Sequence, residues 1–159
     1  MEVQIIDMPD DPHVHSVCAN RCVAQWQRDF PLDTAQWYLD LYAEAAQVST
    51  LPLVLVAVDG DEFVGTAALI IDDELPDARE PGPWLAAVLV NEQWRRRGVG
   101  ASLVREIIRR ARALDIHEVF LYTEKSVTWY ESLGWTALRV AQLAGHDVTV
   151  MSHRSGERI

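Results

Sequence analysis

The sequence predicts an α/β fold, a mixed sheet with helices on its faces, and three observations carry that prediction. The first 50 residues hold apolar stripes of helical period, after which the period shortens to that of strands. Apolar and β-branched runs separated by Gly-containing turns mark hairpins at 53–71 and 136–152. Between them strand, helix, strand and helix alternate, which requires at least one parallel pair.

In chain order, residues 4–8 supply a first strand. Asp11-Pro12 then reads as an N-cap followed by proline at the first helical position. Val14, Cys18, Cys22 and Trp26 recur every four residues, one stripe of a helix ending near Phe30-Pro31. A second helix is expected from Asp33, where Gln36 completes a capping-box spacing and Leu41 and Ala45 face inward. Residues 53–58 and 63–71 pair across Asp59-Gly60. The acidic stretch 72–83 contains Pro76, Pro81 and Pro83 and is expected as an exposed loop. Residues 84–90 make a buried strand, 98–114 a long helix, 119–123 another buried strand, and 126–133 a short helix stopped by Gly134. Strands 136–143 and 147–152 close the chain across Ala144-Gly145-His146. From Arg154 onward the chain is expected to fray.

The 159 residues suit one domain, 1–159, large enough to bury a real core. No apolar run is long enough to cross a membrane. The acidic start MEVQIIDMPDD lacks the basic-then-apolar pattern of a secretory signal, so a cytoplasmic location is expected. Net charge is −10, unevenly placed. Residues 95–112 hold seven arginines and one glutamate, a net +6, which leaves −16 for the remainder. A concentrated positive patch in an acidic chain suggests one specific polyanion rather than general nucleic-acid affinity. Arg105, Arg109, Arg110 and Arg112 read first as a solvated helix face. His13, His15, Cys18 and Cys22 lie along one helix, where ligands seldom close a tetrahedron, so no metal is expected and the cysteines read as buried.

The chemistry concentrates in V-L-V-N-E-Q-W-R-R-R-G-V-G-A, residues 88 to 101. A buried strand ends, a polar turn follows, and glycines spaced G-x-G open a long helix. Free amides and the positive end of the helix dipole make such a terminus an anion site. The three arginines before it suit phosphates. A Walker A loop fails for want of Lys-Ser/Thr, and a Rossmann fingerprint fails because position 103 is Leu. What remains, R-x-x-G-x-G after an apolar strand, resembles the pyrophosphate-binding motif of the GNAT superfamily of N-acetyltransferases. The later W-Y-E-S-L-G-W, residues 129 to 135, resembles the aromatic-Tyr…Leu-Gly-aromatic ending of that superfamily. Pro83-Trp84-Leu85-Ala86 and the V-T-V-M strand are further similarities. The resemblance covers residues 50 to 152, with the N-terminal helices fitting by position.

The resemblance implies the GNAT fold, an α+β arrangement with a central mixed, mostly antiparallel, twisted sheet of about seven strands and helices on both faces. It implies that Val88, Leu89 and Val90 pair with the pantetheine arm of acetyl-CoA as an added strand, an amide near Leu89 or Val90 serving as oxyanion donor. Arg95, Arg96, Arg97, Gly98, Val99, Gly100 and Ala101 would wrap the pyrophosphate, and Tyr130 would protonate the departing thiolate. Relatives often place a CoA-contacting Asn before the tyrosine. This chain has none there, and Ser126 is the expected substitute. A general base is not singled out: Tyr122, Thr123, Glu124, Asp40, Glu44 and a water chain stay open. Trp26, Trp37 and Tyr38 read first as core residues and second as walls of an acceptor cleft.

The expected function is therefore acetyl transfer from acetyl-CoA, the co-substrate, to a primary amine by direct attack in a ternary complex. The alternative is a CoA-binding regulatory or scaffold domain without catalysis. The acidic loop points to a cationic acceptor, a small molecule or a peptide or protein amine. No metal, nucleic acid or membrane partner is expected, and a homodimer stays open.

Overall fold

Seven strands form one open sheet in the order β1-β2-β3-β4-β5-β7-β6 in a computed structural model that describes residues 3–155. The strands are β1 (Gln4–Asp7), β2 (Leu53–Asp59), β3 (Glu62–Ile70), β4 (Trp84–Val90), β5 (Glu118–Thr123), β6 (Thr136–Leu143) and β7 (His146–Arg154). The helices are α1 (Pro12–Trp26), α2 (Ala35–Ala45), α3 (Val99–Ala113) and α4 (Val127–Ser132), with a 3₁₀ turn at Glu92–Trp94. All neighbouring pairs are antiparallel except β4 and β5. The mixed sheet and its helices are as expected, and β7 runs on through Arg154, whose guanidinium pairs with Glu118 at 3.1 Å. The fraying expected from Arg154 onward is absent at Arg154 and at Ser155, whose amide donates to the His117 carbonyl at 2.8 Å, and residues 156–159 lie outside the described residues.

Local chemistry explains the helix starts. The Asp11 carboxylate accepts from the His13 amide at 2.9 Å, and Pro12 supplies the first helical φ of α1. Two expectations need correcting. α1 ends at Trp26, where turns through 27–30 replace its last predicted residues. α2 is capped by Thr34, whose hydroxyl accepts from the Trp37 amide at 3.3 Å. Asp33 is drawn away from capping because its carboxylate accepts the Tyr38 hydroxyl proton at 2.6 Å.

Two cores lie on opposite faces of the sheet. In β2, Val54 and Val56 face α1 and α2, while Leu53, Leu55 and Ala57 join the α3 side, the two-residue alternation of a strand buried on both faces. From α3, Leu103 and Ile107 are fully buried against the second core, each contributing about 2–3 kcal/mol. Gly65 permits this approach, since a Cβ there would stand 2.9 Å from the Leu89 carbonyl oxygen and 3.1 Å from Leu103 Cδ1.

The feature that positions the site is in β4. The register with β3 passes from Thr66↔Leu89 to Ala68↔Ala86, a bulge in which Ala87 takes φ 54°. Thr66 Oγ1 donates to the Ala87 carbonyl at 3.2 Å and holds the bulge in place. On its other side β4 meets β5 through a single bridge, Trp84↔Phe120, after which the two strands part. The segment 72–83 is the mostly exposed loop that its prolines suggest, but it is anchored at two points. Leu75 is buried, and Glu80 forms a two-pronged ion pair with Arg139 of β6, both contacts at 2.9 Å.

Candidate active site

A cavity of about 370 Å³ fills the gap where β4 and β5 part. Its wall takes residues from both cores: Trp26, Trp37, Tyr38 and Tyr122 from the α1–α2 face, and Leu85, Val88 and Tyr130 from the α3 face. The opening therefore passes through the sheet. Tyr130 lies on this wall, only 8% exposed, held edge-on between Trp129 at 4.8 Å and Trp135 at 5.8 Å. Its hydroxyl has no hydrogen-bond partner among the described residues. Burial raises its pKa above the ordinary phenol value, which keeps it protonated. Ser126 lies on the same wall at the start of α4, where its amide donates to the Thr123 hydroxyl oxygen at 3.1 Å.

The glycine motif is outside the cavity lining and is linked to it through Trp129, which packs against both Gly100 and the Tyr130 ring. Gly98 caps α3 at φ 83°, with open space where a Cβ would be. The first helical bond runs from the Ser102 amide to the Gly98 carbonyl, so the amides of Val99, Gly100 and Ala101 have no acceptor within the helix. A Cβ on Gly100 would lie 3.2 Å from Trp129, so this glycine admits the indole ring beside the helix terminus. Arg95, Arg96 and Arg97 are exposed there. Arg95 also donates to the Val90 carbonyl at 2.9 Å and to Gln25 at 3.3 Å, and Arg97 lies 5.0 Å over the Trp94 ring. Val88 reaches the cavity, whereas Leu89 is buried, opposite Thr66, and Val90 pairs with Gly65.

The far part of the wall is acidic. Asp33 comes from the α1–α2 connection, and Asp73 and Glu74 from the β3–β4 connection. Trp37 Nε1 donates to Glu74 at 2.6 Å, as the Tyr38 hydroxyl does to Asp33. Burial raises the Asp33 pKa, the Tyr38 hydrogen bond opposes the rise and Glu74 adds to it. Asp73 is raised well above the usual carboxylate range, first by burial and then by the charges of Asp33 and Glu74. Of the open base candidates, Glu124 lies on the wall with His146 Nδ1 at 2.7 Å. The Tyr122 hydroxyl is engaged with the Asp73 carbonyl at 3.1 Å, and Thr123 with Ser126. Asp40 and Glu44 are exposed on α2 and do not reach the cavity.

With this geometry in place, the sequence matches the acetyltransferase (GNAT) family over residues 14–135. The chain belongs to the GNAT acetyltransferase family. No curated protein matches its sequence. Among solved structures it is similar to an aminoglycoside 6'-N-acetyltransferase complexed with coenzyme A, at 16% identity and TM-score 0.77, covering 100% of this chain and 99% of that one. An aminoglycoside 6'-acetyltransferase type Ii is similar at 18% identity and TM-score 0.76, with 100% of both chains covered. The PaiA N-acetyltransferase of Thermoplasma acidophilum in complex with coenzyme A is similar at 14% identity and TM-score 0.73, covering 97% of this chain and 99% of that one. Likenesses at such identities establish the fold.

The chain's family is one of acetyltransferases. Asp33 is the cavity residue that sequence reasoning missed as a site member, because it looked like a helix cap. Asp73 and Glu74 belong to the acidic loop expected to draw a cationic acceptor, and of that loop's acids they are the two that line the cavity. Trp26, Trp37 and Tyr38 take both roles considered for them, packing against the first core and lining the cleft. The arginine face of α3 is a surface face: Arg110 pairs with Asp7 at 2.8 Å and Arg109 with Glu106. No cluster of three metal-ligating side chains occurs among the described residues. Burial raises the thiol pKa of Cys18 to about 11 and of Cys22 to about 12, which leaves both unreactive. No described helix is long and apolar enough to cross a membrane.

Proposed function

We propose that this GNAT protein transfers an acetyl group from acetyl-CoA to a primary amine by direct attack in a ternary complex. The observation that carries the reading is the unpartnered hydroxyl of Tyr130, carried by a buried residue on the wall of an opening that passes through the sheet. Two substrates can then meet from opposite faces. On the α3 face, the free amides of Val99, Gly100 and Ala101, with Arg95, Arg96 and Arg97, suit a pyrophosphate. The open edge of β4 at Val88, Leu89 and Val90 suits an extended pantetheine arm. Ser126 borders the same passage. On the other face, the acids suit a cationic amine.

The arriving ammonium must lose a proton before its nitrogen can attack. Asp73 is the carboxylate in the cleft best matched to take it, because its raised pKa narrows the gap to the amine. The nitrogen then forms a bond to the thioester carbon, the carbon–sulfur bond breaks, Tyr130 gives its proton to the thiolate, and the second proton that the nitrogen sheds on becoming an amide restores the Tyr130 hydroxyl. Thiol release from acetyl-CoA, followed with and without a panel of primary amines, tests the reading. We expect release that depends on the amine, and an N-acetylated product by mass spectrometry. Tight acetyl-CoA binding with no acetylation of any amine would instead mean a non-catalytic CoA-binding protein.

A further inference from the structure

Asp33 and the Asp73–Glu74 pair come from two separate connections and converge on one part of the cavity wall. Two are fixed by neutral aromatic donors, Tyr38 on Asp33 and Trp37 on Glu74, each at 2.6 Å. Such donors set the direction of a carboxylate without cancelling its charge. No arginine or lysine pairs with any of the three among the described residues. Lys125, at the β5–α4 end of the wall, pairs with none of them. The like charges act on one another, since Glu74 raises the pKa of Asp33, and Asp33 and Glu74 raise that of Asp73. Independently, the Tyr130 hydroxyl, on a side chain only 8% exposed, opens onto the same cavity with no partner among the described residues. The protein leaves both a negative end and an unpartnered donor for a ligand to complete.

A single ammonium does not satisfy this arrangement. An acceptor with one amine loses its only positive charge when it becomes nucleophilic, so its attraction to the carboxylates disappears when positioning matters most. A second cationic centre keeps its charge throughout the reaction. We infer that the acceptor is a small amine with at least two cationic centres, one held by Asp33 and Glu74 beside Trp37 while the other amine is acetylated. The inference rests on the acetyltransfer reading above and adds the number of charges and the residues that count them.

Matched pairs of amines test it on the full chain: butylamine against 1,4-diaminobutane, and octylamine against 1,8-diaminooctane. Thiol release gives kcat/KM for each, and calorimetry in the presence of CoA gives their affinities. We expect the diamine of at least one pair to be favoured by about tenfold or more, the worth of one charge-assisted hydrogen-bonded contact. In the double variant Asp33→Asn, Glu74→Gln, which keeps acceptors for Tyr38 and Trp37, the two members of each pair should become nearly equal while acetyl-CoA affinity holds. Equal treatment of mono- and diamines by the unaltered protein overturns the inference and leaves acetyl transfer standing. So does a diamine preference that survives in the double variant, or a clear preference for uncharged peptide N-termini. Where no amine turns over, the calorimetric preference decides by the same criteria. Failure to bind acetyl-CoA overturns the acetyltransfer reading, and this inference with it.

Discussion

At Tyr130 the contribution of packing and of chemistry can be separated by one oxygen atom. Trp129 and Trp135 hold the ring edge-on, and those contacts do not involve the hydroxyl. Tyr130→Phe should therefore fold normally and bind acetyl-CoA as before. Turnover with the best amine should fall by roughly 10²–10⁴-fold, the usual worth of a positioned acid. Steady-state thiol release beside acetyl-CoA calorimetry measures both, and unchanged turnover would make Tyr130 a packing residue alone. Gly98 and Gly100 illustrate how one short motif serves two purposes. The first supplies a positive φ at the start of α3, and the second leaves room for an indole ring.

Among the elements, the β3–β4 connection is tied down by Glu80, whose carboxylate is 10% exposed and gripped by both arms of Arg139. The Arg139 hydrogen bonds hold its pKa down at about 2, from an ordinary value of 4.5. The folded pKa lies below the unfolded one, so the stabilisation is complete above about pH 4.5 and is lost as pH falls toward 2. Glu80→Gln should lower the unfolding free energy by about 1–2 kcal/mol at pH 7, with the difference from the unaltered protein closing near pH 2. Urea unfolding at several pH values reads this directly. No local pattern announces such a tie, because Glu80 and Arg139 meet only once the sheet has formed. The strands and α3 were legible because periodicity and turn residues act over a few positions. The motif glycines were legible for the same reason, whereas Tyr130 stood out only through the resemblance of its motif to the GNAT ending. The bulge was not, since an alanine such as Ala87 seldom adopts φ 54° and carries no local signal for it. Asp33 was misread because Asp33 and Thr34 both suit an N-cap, and only the distant packing of Tyr38 distinguishes them.

For the molecule as a whole, the charge of −10 combines a positive helix terminus on one side of the sheet with an acidic cleft on the other. Cationic acceptors should be drawn to that cleft by its field, an attraction that salt screens. The kcat/KM of a cationic amine should therefore fall as ionic strength rises from about 10 mM to 300 mM, while that of a neutral amine changes little. A cationic amine whose rate ignores salt would count against steering. The parting of β4 and β5 also bears on mechanical stability. One bridge joins a four-stranded half, β1 to β4, to a three-stranded half, β5, β7 and β6. The two halves resemble an arch without its keystone. Any ligand that spans the seam bonds to both sides, so its binding energy adds to the cohesion of the folded chain. Acetyl-CoA bound across that seam should therefore raise the unfolding temperature, and the gain should vanish when the ligand is removed.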